Sequence, residues 1–397
     1  MSNSPISPDA VKGHRPTWAE VDLDALSANF NVIKSRVGPA VKVMPVVKAN
    51  AYGHGAVACV QRLRDEGAEW FGVALPEEAL ELRAAGVNQS IFCLAGFWEG
   101  QAALCIQHKL VPAVYSLETI TALDRAARDA GVIADVHLKI DTGMGRLGVR
   151  FDEVGEFIEA LNKFRNIRVD GLMTHFAAAD DPSCEPLTEN QIARFEDVIQ
   201  FIRSRGHQPH HLHCANSAGI FSHPESLGNM VRPGGAIYGL WRDVLPPSNE
   251  GRVLRPVMSL RSRIMLLKWV PAGEIIGYGC TFEASRKTLV ATIPVGYEDG
   301  YRRGLSNRGR VIVRGSFAPV VGRISMDLTI VDVTNVPGVE LGDVVTLFGV
   351  ESRSGIEDQA GVDSRLAIPV EDVAKTAGVF SYEVTCGIGP RIPRICF

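Results

Sequence analysis

VKVMPVVKANAYGHGAVACVQRLRDEGAEWFGVAL, residues 41–75, reads as a complete strand–helix–strand unit. The apolar run Val41 to Val47 ends on Lys48, and small residues around Gly53 and Gly55 follow at once. GAVACVQRLRDEGA then reads as a helix stopped at glycine, as a C-cap prefers, and WFGVAL as a second apolar strand. The alternation continues outward. SIFCLAG, VPAVYS, ADVHLKI, IRVDGLMTHF, HHLHCAN and MVRPGGAIYG read as strands; PEEALELRAAG, LETITALDRAARDAG, EVGEFIEALNKF and TENQIARFEDVIQFIRSRG read as helices. Strands alternating with helices of about 10–15 residues form βαβ units and a parallel sheet. About eight such units favour a closed (β/α)8 TIM-type barrel over an open doubly wound sheet.

Past the connector LPPSNEGRVLRP the texture changes to SLRSRIMLLKWV, TLVATIPV, GRVIVRG, ISMDLTIVDV and DVVTLFG, all strand-like. In ISMDLTIVDV, Ile324, Met326, Leu328 and Ile330 alternate with Ser325, Asp327 and Thr329, the period of a half-buried strand. The expected organisation is α/β: a barrel over residues 1–248 and a mainly antiparallel β domain over residues 249–397.

Composition narrows the functional classes. The chain has 397 residues, 46% hydrophobic and 22% charged, with a net charge of −4, and gives no basic run suited to nucleic acid. No apolar stretch approaches the roughly 20 residues of a membrane helix. MSNSPISPDAVKGHRP lacks the apolar centre of a signal peptide. The 8 cysteines are scattered without a C-x-x-C pair, which suits reduced thiols and a cytoplasmic enzyme.

In a parallel barrel the C-terminal ends of the strands build the site. Those positions carry Lys48, Lys139 with Asp141 and Arg146, His175, Asn216 with Ser217, and Arg232 before Gly234 and Gly235. Rich in cations and poor in carboxylates, the set suits an anionic ligand, and glycines after Arg232 would let backbone N–H groups approach phosphate oxygens. Lys48 itself reads either as a snorkelling lysine or as an amine, its pKa lowered by burial and neighbouring cations, that forms a Schiff base.

Two motifs point elsewhere and are set aside. Gly143-Met144-Gly145-Arg146-Leu147-Gly148 matches G-x-G-x-x-G, but Val149 to Asp152 separate it from the next helix, whereas a dinucleotide loop opens its helix directly. HQPHHLHC gathers His207, His210, His211, His213 and Cys214, yet strand alternation keeps them from converging on one metal ion, and none is expected.

VVKANAYGHG, DTGMGRLG, MTHFA, HCANSAG, VRPGGAIYG, GYGCTF, VGRISMD and YEVTCG, in this order, resemble the motif series of the alanine racemases, from about Pro16 to the C-terminus. The resemblance implies a homodimer with shared active sites, a small amino-acid substrate, and pyridoxal 5'-phosphate held on Lys48 as a Schiff base. It implies phosphate contacts from Tyr52, Ser217, Gly234, Gly235 and Tyr382, Arg232 facing the pyridine nitrogen, and Arg146 on the ring-hydroxyl side. His175 would link Arg232 to Tyr278, the second base beside Lys48, contributed by the partner subunit. Met326 and Arg146 would line the substrate position, Tyr297 would narrow the entrance, and Lys139 would be carbamylated. Gly235 and Phe282 stand where bulkier or hydroxylated residues are common in that family. Taken alone, Tyr278 reads as a turn tyrosine and Met326 as a core-facing strand residue. The implied reaction is the interconversion of L- and D-alanine, in D-alanine biosynthesis. The alternatives are a broad-specificity racemase acting on serine or other small amino acids, a decarboxylase of like architecture, whose cysteine motif Cys280 and Cys386 do not match, and a barrel-only cofactor carrier.

Overall fold

The computed structural model describes residues 15–247, 250–351 and 366–397. The expected domain boundary between residues 248 and 249, and the first 14 residues, lie outside them. Two compact units are present: residues 26–255, and residues up to 25 together with 256–397.

Strand β1 (Thr17–Val21) lies with the second unit, a correction to the expected barrel span from residue 1. The reason is pairing. β1 runs antiparallel to β11 (Met258–Arg263), and the Thr17 hydroxyl meets Ser262 Oγ at 2.8 Å.

The first unit is the barrel. Its strands are β2 (Lys42–Val43), β3 (Trp70–Val73), β4 (Ser90–Cys93), β5 (Leu110–Val114), β6 (Ala134–Asp141), β8 (Ile167–Met173), β9 (His211–His213) and β10 (Met230–Val231); a short β7 (Val149–Arg150) flanks β6. β3 to β9 form one parallel sheet, and β10 pairs in parallel with β2. Backbone bonds complete the ring: Val47 N–H to Gly72 O at 2.7 Å joins β2 to β3, and Arg232 N–H to Ala215 O at 2.9 Å joins β9 to β10. The interior packs Met44, Trp70, Phe92, Ala113, Met173 and Met230. β3 is buried along its whole length, which explains why it reads as a continuous apolar run, while β6 alternates apolar and polar residues and still buries all but Asp135 and Asp141.

The outer helices follow their sequence signals. Leu117–Asp129 buries Ile120, Leu123 and Ala127 on one face, and Ser116 caps its start by accepting from Thr119 N–H. Pro76–Ala84 opens on Pro76, where no N–H is needed.

The second unit has two sheets. One runs β15 (Ser316–Pro319), β14 (Arg310–Val313), β17 (Val344–Val350), β11, β1, β19 (Arg394–Cys396), with β18 (Ala367–Ile368) on β17; the other runs β12 (Leu266–Val270), β13 (Thr288–Ile293), β16 (Thr329–Asp332). Every pairing in this unit except β1 with β19 is antiparallel among the described residues. Helices Val370–Ala377 and Ser381–Cys386 complete it.

The expected strand over ISMDLTIVDV is shorter and in the opposite phase. It begins at Thr329, with Thr329 and Val331 buried, while Met326 and Leu328 are exposed. A turn intervenes, because Ser325 Oγ accepts from Leu328 N–H at 3.1 Å and Ser325 N–H donates to Leu328 O at 3.0 Å. Met326 therefore sits on a loop. No helix among the described residues is long and apolar enough to cross a membrane.

Ser116→Ala removes a helix cap without touching the barrel interior, and we expect it to lower unfolding free energy by about 1 kcal/mol in a denaturant titration.

Candidate active site

The site is assembled where the barrel strands end. Lys48 is half-buried and opens a turn in which Ala49, Asn50, Ala51 and Tyr52 all hold φ between 52° and 54°, a left-handed helical run without glycine. That run carries about 1–2 kcal/mol of strain per residue. Local bonds offset it: Glu78 Oε1 accepts from Ala49 N–H at 2.7 Å, Gly53 N–H donates to Ala49 O at 2.9 Å, and Asn50 Oδ1 accepts from Ala56 N–H at 2.7 Å. The turn buries Tyr52 beside the Tyr238 ring, 5.1 Å between centroids, and brings Lys48 Nζ to 6.0 Å from the Tyr52 ring. Tyr238 is anchored by its hydroxyl to Val46 O at 3.0 Å and carries the His54 ring stacked at 4.6 Å.

Opposite lies the loop after β10. Ser217 is buried and its Oγ accepts from Gly234 N–H at 3.0 Å and Ala236 N–H at 3.3 Å. A Cβ on Gly234 would stand 2.5 Å from the Tyr52 hydroxyl, so that close approach requires glycine. Tyr52, Ser217 and Gly234 are thus brought side by side.

Arg232 is the centre of the charge distribution. It is buried, and its Nη1 donates to His213 O at 2.7 Å and His213 Nδ1 at 2.8 Å. Its Nη2 reaches Thr174 O at 2.7 Å, Cys214 O at 3.0 Å and His175 Nδ1 at 3.2 Å. Nε alone is buried without a partner among the described residues. Desolvation pulls its pKa down to about 10, which leaves the guanidinium charged at neutral pH.

Lys139 is also buried, 3.3 Å from Leu94 O. Desolvation, then the charges of Arg232, Arg146 and Lys48, lower its pKa to about 8, against an opposing pull from Asp141. His175 is held well below its ordinary value by burial and by Arg232, Arg146, Lys139 and Lys48, so it is neutral. These mutual influences place Lys48, Lys139, Arg146, His175 and Arg232 in one cluster, with Arg146 its exposed member.

The G-x-G-x-x-G match has a different use. Asp141 Oδ1 accepts from the N–H groups of Gly143, Met144 and Gly145 at 3.0, 2.9 and 3.1 Å. The chain's own carboxylate fills this nest, and the next helix starts only at Val154. The histidines of HQPHHLHC divide among three partners: His207 meets Asn162, His210 and His211 face Asp170, and His213 meets Arg232. No group of three or more His, Cys, Asp or Glu able to hold a metal is found among the described residues.

The remaining expected site residues belong to the second unit. Tyr278 stands in a short 3-10 turn between Gly277 and Gly279, both left-handed, and is 70% exposed. Tyr297 N–H donates to Ser325 O at 3.1 Å and Glu298 N–H to Met326 O at 3.2 Å, which brings Tyr297 and Met326 onto adjoining loops. Asp299, fully buried, ties this platform together by accepting from Gly296 N–H at 2.9 Å and pairing with Arg15 and Arg391. Tyr382 lies in helix Ser381–Cys386, half-buried, its ring edge-on to Phe380. Sequence reading missed Glu78, Thr174 and the acceptor role of His213; histidine at two of the three positions of β9, His211-Leu212-His213, was the one signal available for the last.

Comparisons with known proteins identify the family. Residues 21–241 match the alanine racemase N-terminal domain model and residues 257–396 the C-terminal domain model. The chain belongs to the alanine racemase family. Relatives include the alanine racemases of Halothermothrix orenii, 41% identical over 96% of each chain, and Geobacter sulfurreducens, 42% identical over 96% of this chain and 97% of that one. Among solved structures, alanine racemase from Streptomyces lavendulae superposes with a TM-score of 0.85 at 36% identity, covering 96% of this chain and 97% of that one. Alanine racemase from Bartonella henselae with covalently bound pyridoxal phosphate gives 0.82 at 29% identity, covering 96% and 99%.

Glu78→Ala leaves the Ala49 and Ala74 N–H groups without their acceptor. We expect a loss of about 1–3 kcal/mol, read by urea unfolding, with faster proteolysis near residue 50.

Proposed function

We propose that this family membership carries its reaction: the chain is an isomerase that interconverts L-alanine and D-alanine, with pyridoxal 5'-phosphate as cofactor. The observation that carries the reading is Arg232. Four of its five N–H donors are consumed by the barrel, and the fifth, Nε–H, is buried and unpartnered within a cluster of cations. That donor suits the pyridine nitrogen, and the space bounded by Tyr52, Ser217 and Gly234 suits a phosphate. When bound, the cofactor supplies an electron-accepting ring that spreads the negative charge left when an amino acid loses its α-proton.

The roles proposed for the residues follow from their chemistry. Lys48 holds the cofactor through Nζ and moves a proton on one face. Tyr52, Ser217, Gly234 and Gly235, with Tyr382, hold the phosphate. Arg146 serves the ring-hydroxyl side and the substrate carboxylate, with Met326 lining the substrate and Tyr297 narrowing its approach. Tyr278 of the partner subunit moves the proton on the opposite face, since racemisation needs removal on one side and return on the other. His175 accepts from Arg232 at Nδ1, so its proton sits on Nε2, where it can stabilise a phenolate. The 70% exposure of Tyr278 and 50% exposure of Met326 support a homodimer in which a second copy covers them. In this reading the barrel unit, residues 26–255, binds the cofactor, the second unit supplies Tyr278 and Met326 from residues 256–397, and the enzyme serves D-alanine biosynthesis in the cytoplasm. Nothing favours the broader substrate range.

Incubated with L-alanine in deuterated water, the loaded enzyme should form D-alanine with solvent deuterium at Cα. Tyr278→Phe should lose exchange by ~100-fold or more, mainly in one direction of isotope entry. Equal exchange in both directions by the variant would remove Tyr278 from the mechanism.

Lys139 is proposed to be carbamylated: its neutral Nζ lone pair bonds the carbon of CO2 and a proton leaves to water. A lysine pKa of about 8 means the neutral amine grows as pH rises through that value. At fixed dissolved 13CO2, the carbamate 13C signal should therefore be small well below pH 8 and rise through and beyond it. Its absence, or its persistence in Lys139→Arg, would contradict the assignment.

A further inference from the structure

Behind Arg232 the barrel interior holds two histidines where aliphatic side chains are usual. His213 Nδ1 receives Arg232 Nη1–H at 2.8 Å, and His213 Nε2 lies 2.8 Å from His137 Nδ1. Both rings are fully buried. We propose that His213 and His137 are positioning residues for Arg232: a proton-ordered pair of neutral rings that holds the guanidinium so that Nε–H is the one donor left for the cofactor. The inference rests on the pyridoxal phosphate reading of the site.

The order of protons follows from donor chemistry. A guanidinium can only donate, so His213 Nδ1 must present a lone pair. Its proton is then on Nε2, which donates to His137 Nδ1, and the His137 proton is on Nε2 in turn. Reversing the order would put two N–H groups face to face at Arg232. Protonating His213 would do the same. The groups facing the pair agree: His213 meets Arg232, His211 and Lys139, while His137 meets His211, Arg232 and the opposing Asp170. Burial is the largest influence on each, and it holds His137 down at about 3 and His213 well below its ordinary value.

The backbone is shaped for this pair. A Cβ on Gly171 would lie 2.5 Å from the His137 ring, so β8 gives up a side chain to admit it. Phe92 and Trp70 flank the ring at 4.7 and 5.5 Å. At the far end His137 Nε2 is buried with no partner among the described residues. Leaving a donor unpaired costs about 1–3 kcal/mol. A phenylalanine would fill an aromatic slot without that penalty, so packing alone does not explain a histidine here.

The test uses the loaded enzyme labelled with 15N-histidine and two substitutions at residue 137. NMR of the wild type should show His213 and His137 neutral and as Nε2–H tautomers from about pH 6 to 9. An Nδ1–H tautomer at His213, or its titration in that range, overturns the proposal. His137→Phe removes the acceptor for His213 Nε2–H; His137→Asn keeps one near the Nδ1 position. The readout is conversion of the cofactor to its pyridoxamine form with alanine, in which the amino group stays on the cofactor, one water is consumed and pyruvate leaves. Phe should raise that rate relative to racemisation by about ten-fold or more, and Asn should remain within about three-fold of wild type. The opposite ranking, or two variants alike, would make the pair simple packing and overturn it. Should His137→Phe fail to fold, the wild-type tautomers still decide. Wild-type enzyme that binds pyridoxal phosphate but leaves alanine unchanged would instead refute the substrate reading, with the tautomers still read separately.

Discussion

A guanidinium buried in the mouth of a barrel is the constraint on which this site depends. Removing an ion from water is expensive unless every donor is met. Among the described residues no carboxylate meets Arg232. Backbone carbonyls of Thr174, His213 and Cys214, all at or just past the ends of β8 and β9, do so instead. The positive charge is therefore left uncompensated, and its field reaches everything near it. Burial first, and this charge second, push Lys139 toward neutrality and keep His175 and His213 neutral. Desolvation and one fixed cation thus act in the same direction on which neighbours carry a proton.

The second constraint is the backbone at residues 49–52. Four left-handed residues without glycine carry roughly 1–2 kcal/mol each, and such strain persists only where the surroundings over-determine it. Glu78 and Asn50 do this through side-chain acceptors, and the Tyr238–His54 stack holds the aromatic side. The conformation reverses the chain within one turn. It thereby brings Lys48 Nζ to 6.0 Å from the Tyr52 ring at a single strand end.

The barrel was legible because its signal is repetitive. Apolar strands and amphipathic helices recur with the right spacing, and errors in single boundaries do not disturb the count. Lys48, Arg232 and Gly234 were legible as strand-end chemistry, since position in a parallel barrel predicts which residues face the site. Other features depend on contacts distant in sequence. Nothing in Ala49-Asn50-Ala51 announces a left-handed turn, because alanine disfavours it and the acceptor, Glu78, lies on another helix. β1 reads as the start of a barrel until its partner near residue 260 is known. Met326 was misplaced for a local reason: Ser325 and Leu328 close a turn that alternation in hydrophobicity cannot reveal. The exposure of Tyr278 carries no sequence signal either.

The two glycine-rich loops show why donor geometry must be read with its occupant. Gly143 to Gly145 and Gly234 with Ala236 both aim backbone N–H groups at a common acceptor. In the first loop the acceptor is the ionised carboxylate of Asp141, which satisfies three donors and leaves no room or charge for a phosphate. In the second it is the neutral hydroxyl of Ser217, which accepts twice and keeps a proton to donate outward. A carboxylate closes a nest; a hydroxyl relays it. The difference between a structural turn and the proposed anion cradle lies in one functional group, and the pattern of glycines alone points to the other loop.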